Sequence, residues 1–168
     1  TDFGIGDELA RLEGYVEQAL FYARSNDVEK DYLIKEVNLQ QVVQNVILKR
    51  KKMLRSMNAK IQLQELDTWV YSDGKWLEFM LGQVLDNSIK YGEKDKLCLE
   101  VWSEKKENAV LLHLKDNGIG MKSTEVAKVF EKGFTGSNGR NGANSTGIGL
   151  YLCKKLCNRL EHNISLAS

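Results

Sequence analysis

The stretch Asp116-Asn117-Gly118-Ile119-Gly120 places a carboxylate beside two glycines spaced by one residue. It follows an apolar run over residues 110–114 that reads as a buried strand. A carboxylate at a strand end can accept a hydrogen bond from a flat, amine-bearing ring, and Gly118 and Gly120 let the backbone come close to that ring. A single G-x-G is usually an ordinary turn, so its company decides the reading. Upstream, Gln83, Asn87, Lys90 and Tyr91 share one stripe of a helical stretch. An amide oxygen is a hard ligand suited to Mg²⁺, a lysine one turn on can neutralise phosphates, and a tyrosine offers a ring face to a base or sugar. Downstream, a glycine-rich loop ends in a second G-x-G, Thr146-Gly147-Ile148-Gly149-Leu150, which opens another helix where an anion would meet free backbone N–H groups. Three separated elements converge on chemistry the size of a nucleotide.

The pattern around these residues predicts the elements that must hold them. Residues 7–25 carry Leu9, Leu12, Val16, Ala19 and Ala23 at alternating spacings of three and four, the seam of a helix packed on another helix or on its own domain. Residues 26–30 are polar and charged, and they mark a boundary between a leading segment, 1–30, and a main domain, 31–168. The main domain is expected to start with a strand over residues 31–37. A helix from Asn38 to about Met57 follows, opened by a capping-box variant of Asn38 and Gln41. Strands over residues 60–66 and 69–71 precede the Asp73-Gly74 turn and a strong helix over residues 75–91, on which Leu77, Leu81, Val84, Leu85 and Ser88 form the stripe that faces a sheet. Then come strands over residues 97–103 and 109–115, a short helix over 124–129, a helix over 149–160 and the start of a strand over 164–167. The loop over residues 132–146 holds Gly133, Gly136, Gly139 and Gly142 and few large apolar residues. It cannot bury enough surface to offset its ordering entropy, so it is expected to act as a lid that ligand orders.

Composition sets limits. A chain of 168 residues with 42% hydrophobic content can bury one sizeable core. A net charge of +1 gives none of the polyelectrolyte attraction of a nucleic-acid binder. No run approaches the roughly eighteen apolar residues of a membrane span, no signal-peptide pattern opens the chain, and the start at Thr1 suggests a piece of something longer. The run Lys49-Arg50-Lys51-Lys52 reads as a solvated helix face, balanced by acidic residues elsewhere. Cys98, Cys153 and Cys157 lack metal-ligand spacing; the latter two fit the packed face of a helix, and a reducing cytoplasm is implied. Trp69, Trp76 and Trp102 read as core or near-core packing.

Taken together, the motifs resemble those of the ATP-binding catalytic domain of bacterial sensor histidine kinases, part of the wider group that includes gyrase, the Hsp90 chaperones and MutL. Residues 83–91 (QVLDNSIKY) are similar to the N box, residues 116–120 to the G1 box, Val129-Phe130-Glu131-Lys132 to the F box, and residues 145–150 to the G2 box. The resemblance implies an α/β (α+β) sandwich of the Bergerat type, with a mixed sheet covered on one face by three helices and residues 7–25 supplying the second helix of a dimerisation and phosphoacceptor hairpin. It implies ATP and Mg²⁺ as cofactors. In that reading Asn87 holds the metal, Asp116 bonds the adenine amine, and Gly118 and Gly120 admit the base. Lys90 touches phosphate, Tyr91 lies against the nucleotide, and Phe130 belongs to the F box. Thr146, Gly147, Gly149 and Leu150 carry the phosphates at a helix N-terminus. The implied partners are the histidine-bearing helix of the same kinase, a response-regulator receiver domain and a second copy in a homodimer, with no nucleic acid. The implied setting is the cytoplasmic side of a membrane-anchored sensor.

Departures from that pattern refine it. ATP-hydrolysing members carry a glutamate general base where this chain has Gln83, which cannot take a proton. Transfer to a histidine, whose neutral imidazole is already nucleophilic, is therefore expected over hydrolysis. His113 and His162 lack the context of a phosphoacceptor and read as packing and surface, so no catalytic residue is expected within the chain. Arg140 is the nearest replacement for a basic residue that many such kinases carry after the F box, and the tail from Lys132 to Arg140 is similar to the small intramembrane-sensing kinases of the bacitracin-resistance type. A rival reading is a module that binds ATP, or docks a partner, without transferring phosphate in this form.

Overall fold

The computed structural model describes residues 32–134 and 149–168, together with the isolated helical position Ala19. The seam over residues 7–25, the boundary at 26–30 and most of the glycine-rich loop, with Arg140, Thr146 and Gly147, lie outside the described residues.

The first strand, β1 (Lys35–Asn38), ends where Asn38 turns the chain into helix α1 (Leu39–Lys49). The Asn38 side chain accepts from the Gln41 backbone N–H at 3.1 Å, as the capping pattern predicts. Gln41 does not reciprocate: its amide turns along the helix to Asn45, at 2.9 Å. The single helix expected as far as Met57 is interrupted. Arg50, with φ −106° and ψ 12°, closes α1 and opens a second helix, α2 (Lys51–Ser56). The sequence has no breaker here, and at the break the Arg50 side chain reaches Asp86, far along the chain.

Strands β2 (Lys60–Gln64) and β3 (Trp69–Ser72) precede helix α3 (Gly74–Lys90). Asp73 caps α3 through one carboxylate oxygen, which accepts from the Lys75 and Trp76 N–H groups, while its other oxygen accepts from the Leu33 N–H at 2.8 Å. Strands β4 (Cys98–Lys105) and β5 (Val110–Asp116), the short helix α4 (Ser123–Val126) and helix α5 (Gly149–Arg159) complete the elements. The strands form two hydrogen-bonded groups. β1 and β3 pair antiparallel, and β2, β4 and β5 form a mixed sheet with β2 parallel and β5 antiparallel to the central β4. The β1–β3 pairing runs on where the Leu39 N–H donates to the Thr68 carbonyl, and the two groups meet where the Thr68 and Ser103 hydroxyls come together. No strand forms over residues 164–167, contrary to expectation. Ile164 instead packs on the core beside α5, and the tail is held at both ends by side chains: Ser72 Oγ meets His162 Nε2 at 2.7 Å, and Ser168 Oγ accepts from the Met121 N–H at 2.8 Å.

Helix α3 is the centre of the packing, and it has two apolar faces rather than the one stripe expected. Leu85 and Ile89, with Leu81 beside them, join Val46, Leu54, Leu97 and Leu99 between helices and sheet. Trp76, Phe79 and Met80 point the other way and pack with Leu152, Cys153, Leu156, Cys157 and Leu160 around α5. The α/β sandwich implied by the motifs is thus present, with α1, α3 and α5 side by side and α3 in the middle. Trp76 is in the core, 1% exposed, whereas Trp69 is 61% exposed on the outer face of β3 and Trp102 stacks on His113 across the β4–β5 ladder, with ring centroids 4.8 Å apart. Cys153 and Cys157 fill the α5 core as expected, and burial pushes both thiol pKa values up. Among the described residues no helix is long and apolar enough to cross a membrane.

Candidate functional site

The site is built where the C-terminus of α3 meets the turn after β5. Asp116 is the last residue of β5, and the ladder opposite it ends at Leu99, so its carboxylate projects past the end of the sheet. Both carboxylate oxygens are held. Ser88, buried on α3, donates its hydroxyl to Asp116 Oδ2 at 2.7 Å, and the Gly118 N–H donates to Oδ1 at 2.9 Å. Two donors on one carboxylate fix its orientation. The exposed Asp116 still has lone pairs to offer an amine.

Gly118 sits where a side chain would be crowded. A Cβ there would stand 3.0 Å from the Tyr91 carbonyl oxygen and 3.1 Å from Asp116 Oδ1. Gly120 has φ +72°, a left-handed conformation that glycine adopts without strain. The turn is seated on α3: the Ile119 N–H donates to the Tyr91 carbonyl at 3.4 Å. Asn117 braces its other side, accepting from the Cys98 N–H at 2.7 Å and donating to the Lys96 carbonyl at 2.9 Å.

The polar stripe expected on α3 is partly present. Asn87 is half-buried, and among the described residues its side-chain amide has no hydrogen-bond partner, an arrangement that leaves a hard oxygen donor available. Lys90, one turn on, lies with Nζ 5.4 Å from the centroid of the Tyr91 ring, and partial desolvation lowers its pKa. Gln83 does not belong to an exposed stripe: it is buried. Phe130, half-buried, follows the buried Val129 and lies beside α5, with Lys154 Nζ 6.0 Å from its ring centroid. Gly149 and Leu150 begin α5, as predicted.

The structure therefore brings Asn87, Lys90, Tyr91, Asp116, Gly118 and Gly120 together, and it sets Phe130 beside the helix that Gly149 and Leu150 open. Sequence reasoning missed Ser88, assigning it to the apolar stripe. The available signal was a hydroxyl in a stripe otherwise made of Leu and Val, one residue after Asn87.

Comparison with known proteins follows the same lines. Residues 72–168 match the model of the histidine kinase-, DNA gyrase B- and HSP90-like ATPase family. The sensor histidine kinase YxdK of Bacillus subtilis (strain 168) is 35% identical over 167 residues, covering 98% of this chain and 51% of that protein. The sensor histidine kinase GraS of Staphylococcus haemolyticus (strain JCSC1435) is 28% identical over 162 residues, covering 96% of this chain and 46% of that protein. The chain thus spans about half the length of the curated relatives it matches. Among solved structures, the histidine kinase ThkA in complex with the response regulator protein TrrA superposes with a TM-score of 0.69 at 23% identity, over 94% of this chain and 43% of that one. The carboxylate held at the end of β5, the glycines seated on α3 and the matched span from β3 to the tail have one common explanation: the chain belongs to the histidine kinase-, DNA gyrase B- and HSP90-like ATPase family.

Proposed function

We propose that this chain is the catalytic domain of a two-component sensor histidine kinase, which binds Mg-ATP and delivers the γ-phosphoryl group to a histidine outside the described residues. The observation that carries the reading is the convergence of Ser88, Asp116 and Gly118 beside an Asn87 amide that is without a partner among the described residues. The donor set fits the group: a fixed anionic acceptor suits the exocyclic amine of adenine, and an amide oxygen suits a hard cation that phosphates and water also ligate. Bound Mg-ATP supplies the transferable phosphoryl group. The protein contributes position and charge, as phosphoryl transfer generally requires. Asp116 orients the base, Asn87 holds the metal, Lys90 faces phosphate, and Tyr91 lies against the nucleotide. Phe130, Arg140, Thr146, Gly147, Gly149 and Leu150 are the further residues of the nucleotide site in this reading. Gln83 offers no base, so water is not activated from that position.

The partners that follow from this reading are the histidine-bearing helix of the same kinase, a second copy in a homodimer, and a receiver domain like the one bound in the ThkA–TrrA complex. The relatives' description as sensor kinases supports a membrane-anchored parent with this domain on the cytoplasmic side. The test has two stages. Titration with ATP, with and without Mg²⁺, should show binding that Mg²⁺ strengthens. Radiolabelled ATP should then give acid-labile, base-stable label on an added histidine-bearing hairpin, and none on the chain alone. Steady release of phosphate by the chain alone, abolished by Gln83→Ala, would identify an ATPase instead.

A further inference from the structure

The basic run on α1 and α2 is not uniform. Lys49, Lys51 and Lys52 are exposed, and Lys49 has only a distant ionic contact to Glu78, at 3.7 Å. Arg50 is different: its side chain is 16% exposed and lies across α3. Nε donates to Asp86 Oδ1 at 2.7 Å, Nη2 to Asp86 Oδ2 at 3.1 Å, and Nη1 to the Val46 carbonyl at 3.3 Å. A planar fork on both oxygens of one carboxylate fixes direction as well as distance, which a lysine cannot do.

Gly82 makes room for that fork. It lies one turn before Asp86, and a Cβ there would meet Nη2 at 2.4 Å and Cζ at 3.1 Å. Glycine inside a helix costs about 1 kcal/mol relative to alanine, and here the cost has a counterpart, since the guanidinium occupies the space a side chain at this position would take. The other end of the clamp is Asp86, the residue directly before Asn87. A helix rotated by a few degrees, or slid by a fraction of a turn, would carry the Asn87 amide with it.

We infer that Arg50 and Gly82 are positioning residues for the metal end of the nucleotide site: the fork on Asp86 fixes the rotation of α3 at which Asn87 presents its amide to the cation. This rests on the proposed role of Asn87. The clamp sits at the residue where α1 gives way to α2.

The test uses the 168-residue chain and measures dissociation constants for ATP with Mg²⁺ and for ATP in chelator, beside melting temperature without nucleotide. Arg50→Ala and Gly82→Ala should each weaken Mg-ATP binding about fivefold while changing metal-free ATP binding less than twofold. Their combination should be no worse than either alone, and neither should add to Asn87→Ala. Asp86→Asn, which keeps shape and loses charge, should give the same metal-specific loss and serves if the alanine variants fold poorly. Lower melting temperatures with equal losses for both ligands, or with none, would reduce the clamp to a structural tie and overturn the inference. Asn87→Ala separates the two readings. If it shows no metal-specific loss, the Asn87 assignment fails; if Arg50→Ala nonetheless shows one, the clamp acts on a ligand other than Asn87, and the inference as stated is wrong.

Discussion

Removing the Ser88 hydroxyl tests the base-reading end of the site with little disturbance elsewhere. In Ser88→Ala, Asp116 Oδ2 loses its 2.7 Å donor while Oδ1 keeps the Gly118 N–H at 2.9 Å. A hydrogen bond to a charged group contributes about 1.5–3 kcal/mol. Asp116 is exposed, so water replaces part of that, and the carboxylate remains present to accept the base. The expected loss in ATP affinity is therefore about 1 kcal/mol, roughly fivefold in the dissociation constant. Asp116→Asn removes the acceptor charge itself and should cost about 1–3 kcal/mol. Because both changes act on one carboxylate, Ser88→Ala should cost little more once Asp116 is replaced. Isothermal titration with ATP, GTP and ITP gives the affinities, and discrimination against the 6-oxo bases should narrow in Ser88→Ala and be restored in Ser88→Thr. An unchanged ATP affinity in a folded Ser88→Ala protein, or a full additional loss in the Asp116→Asn background, would refute the reasoning.

Other predictions concern charge and core. The lowered pKa of Lys90, caused by desolvation, means that its positive charge is lost earlier than an ordinary lysine's as pH rises. ATP affinity should fall on the alkaline side, and Lys90→Arg should hold it to higher pH. The unfolded chain binds the proton more tightly in that window, so the same shift lets stability rise slightly with pH there, which denaturant titration across pH can register. Trp76, 1% exposed between Tyr32 and Phe79, anchors the core around α5; Trp76→Ala should cost about 3–5 kcal/mol and lower the melting temperature by about 10 °C or more.

Much of this was legible in the sequence because the motifs are local. The carboxylate and glycines of residues 116–120, the Asn38 cap and the Asp73-Gly74 start of α3 each occupy a few consecutive residues whose chemistry dictates their conformation. What escaped was long-range. Arg50 looks like its neighbours in the run, and only Asp86, brought close by folding, distinguishes it. Ser88 fits the helical stripe, and its partner lies 28 residues away. The expected strand over residues 164–167 has the right residue types, yet a strand needs a free ladder to join, and here the tail is held through its own side chains instead. Likewise α3 carries a second apolar face because α5 comes to rest on it, which a search for one stripe does not reveal.

The tail has a mechanical consequence. His162 is fastened to Ser72, just before the first turn of α3, and Ser168 is fastened to Met121, beside the turn that sits on the last turn of α3. The helix between these points has 17 residues, a length of about 25 Å. The stretch from His162 to Ser168 reaches at most about 22 Å when fully drawn out. The tail therefore links the start of α3 to the turn at its far end in few residues, with Ile164 resting on the core between the two fastenings. A displacement of Ser72, which pairs with Lys35 on the first strand, would be passed to the turn at Met121 and Gly120 through the tail as well as through α3 itself.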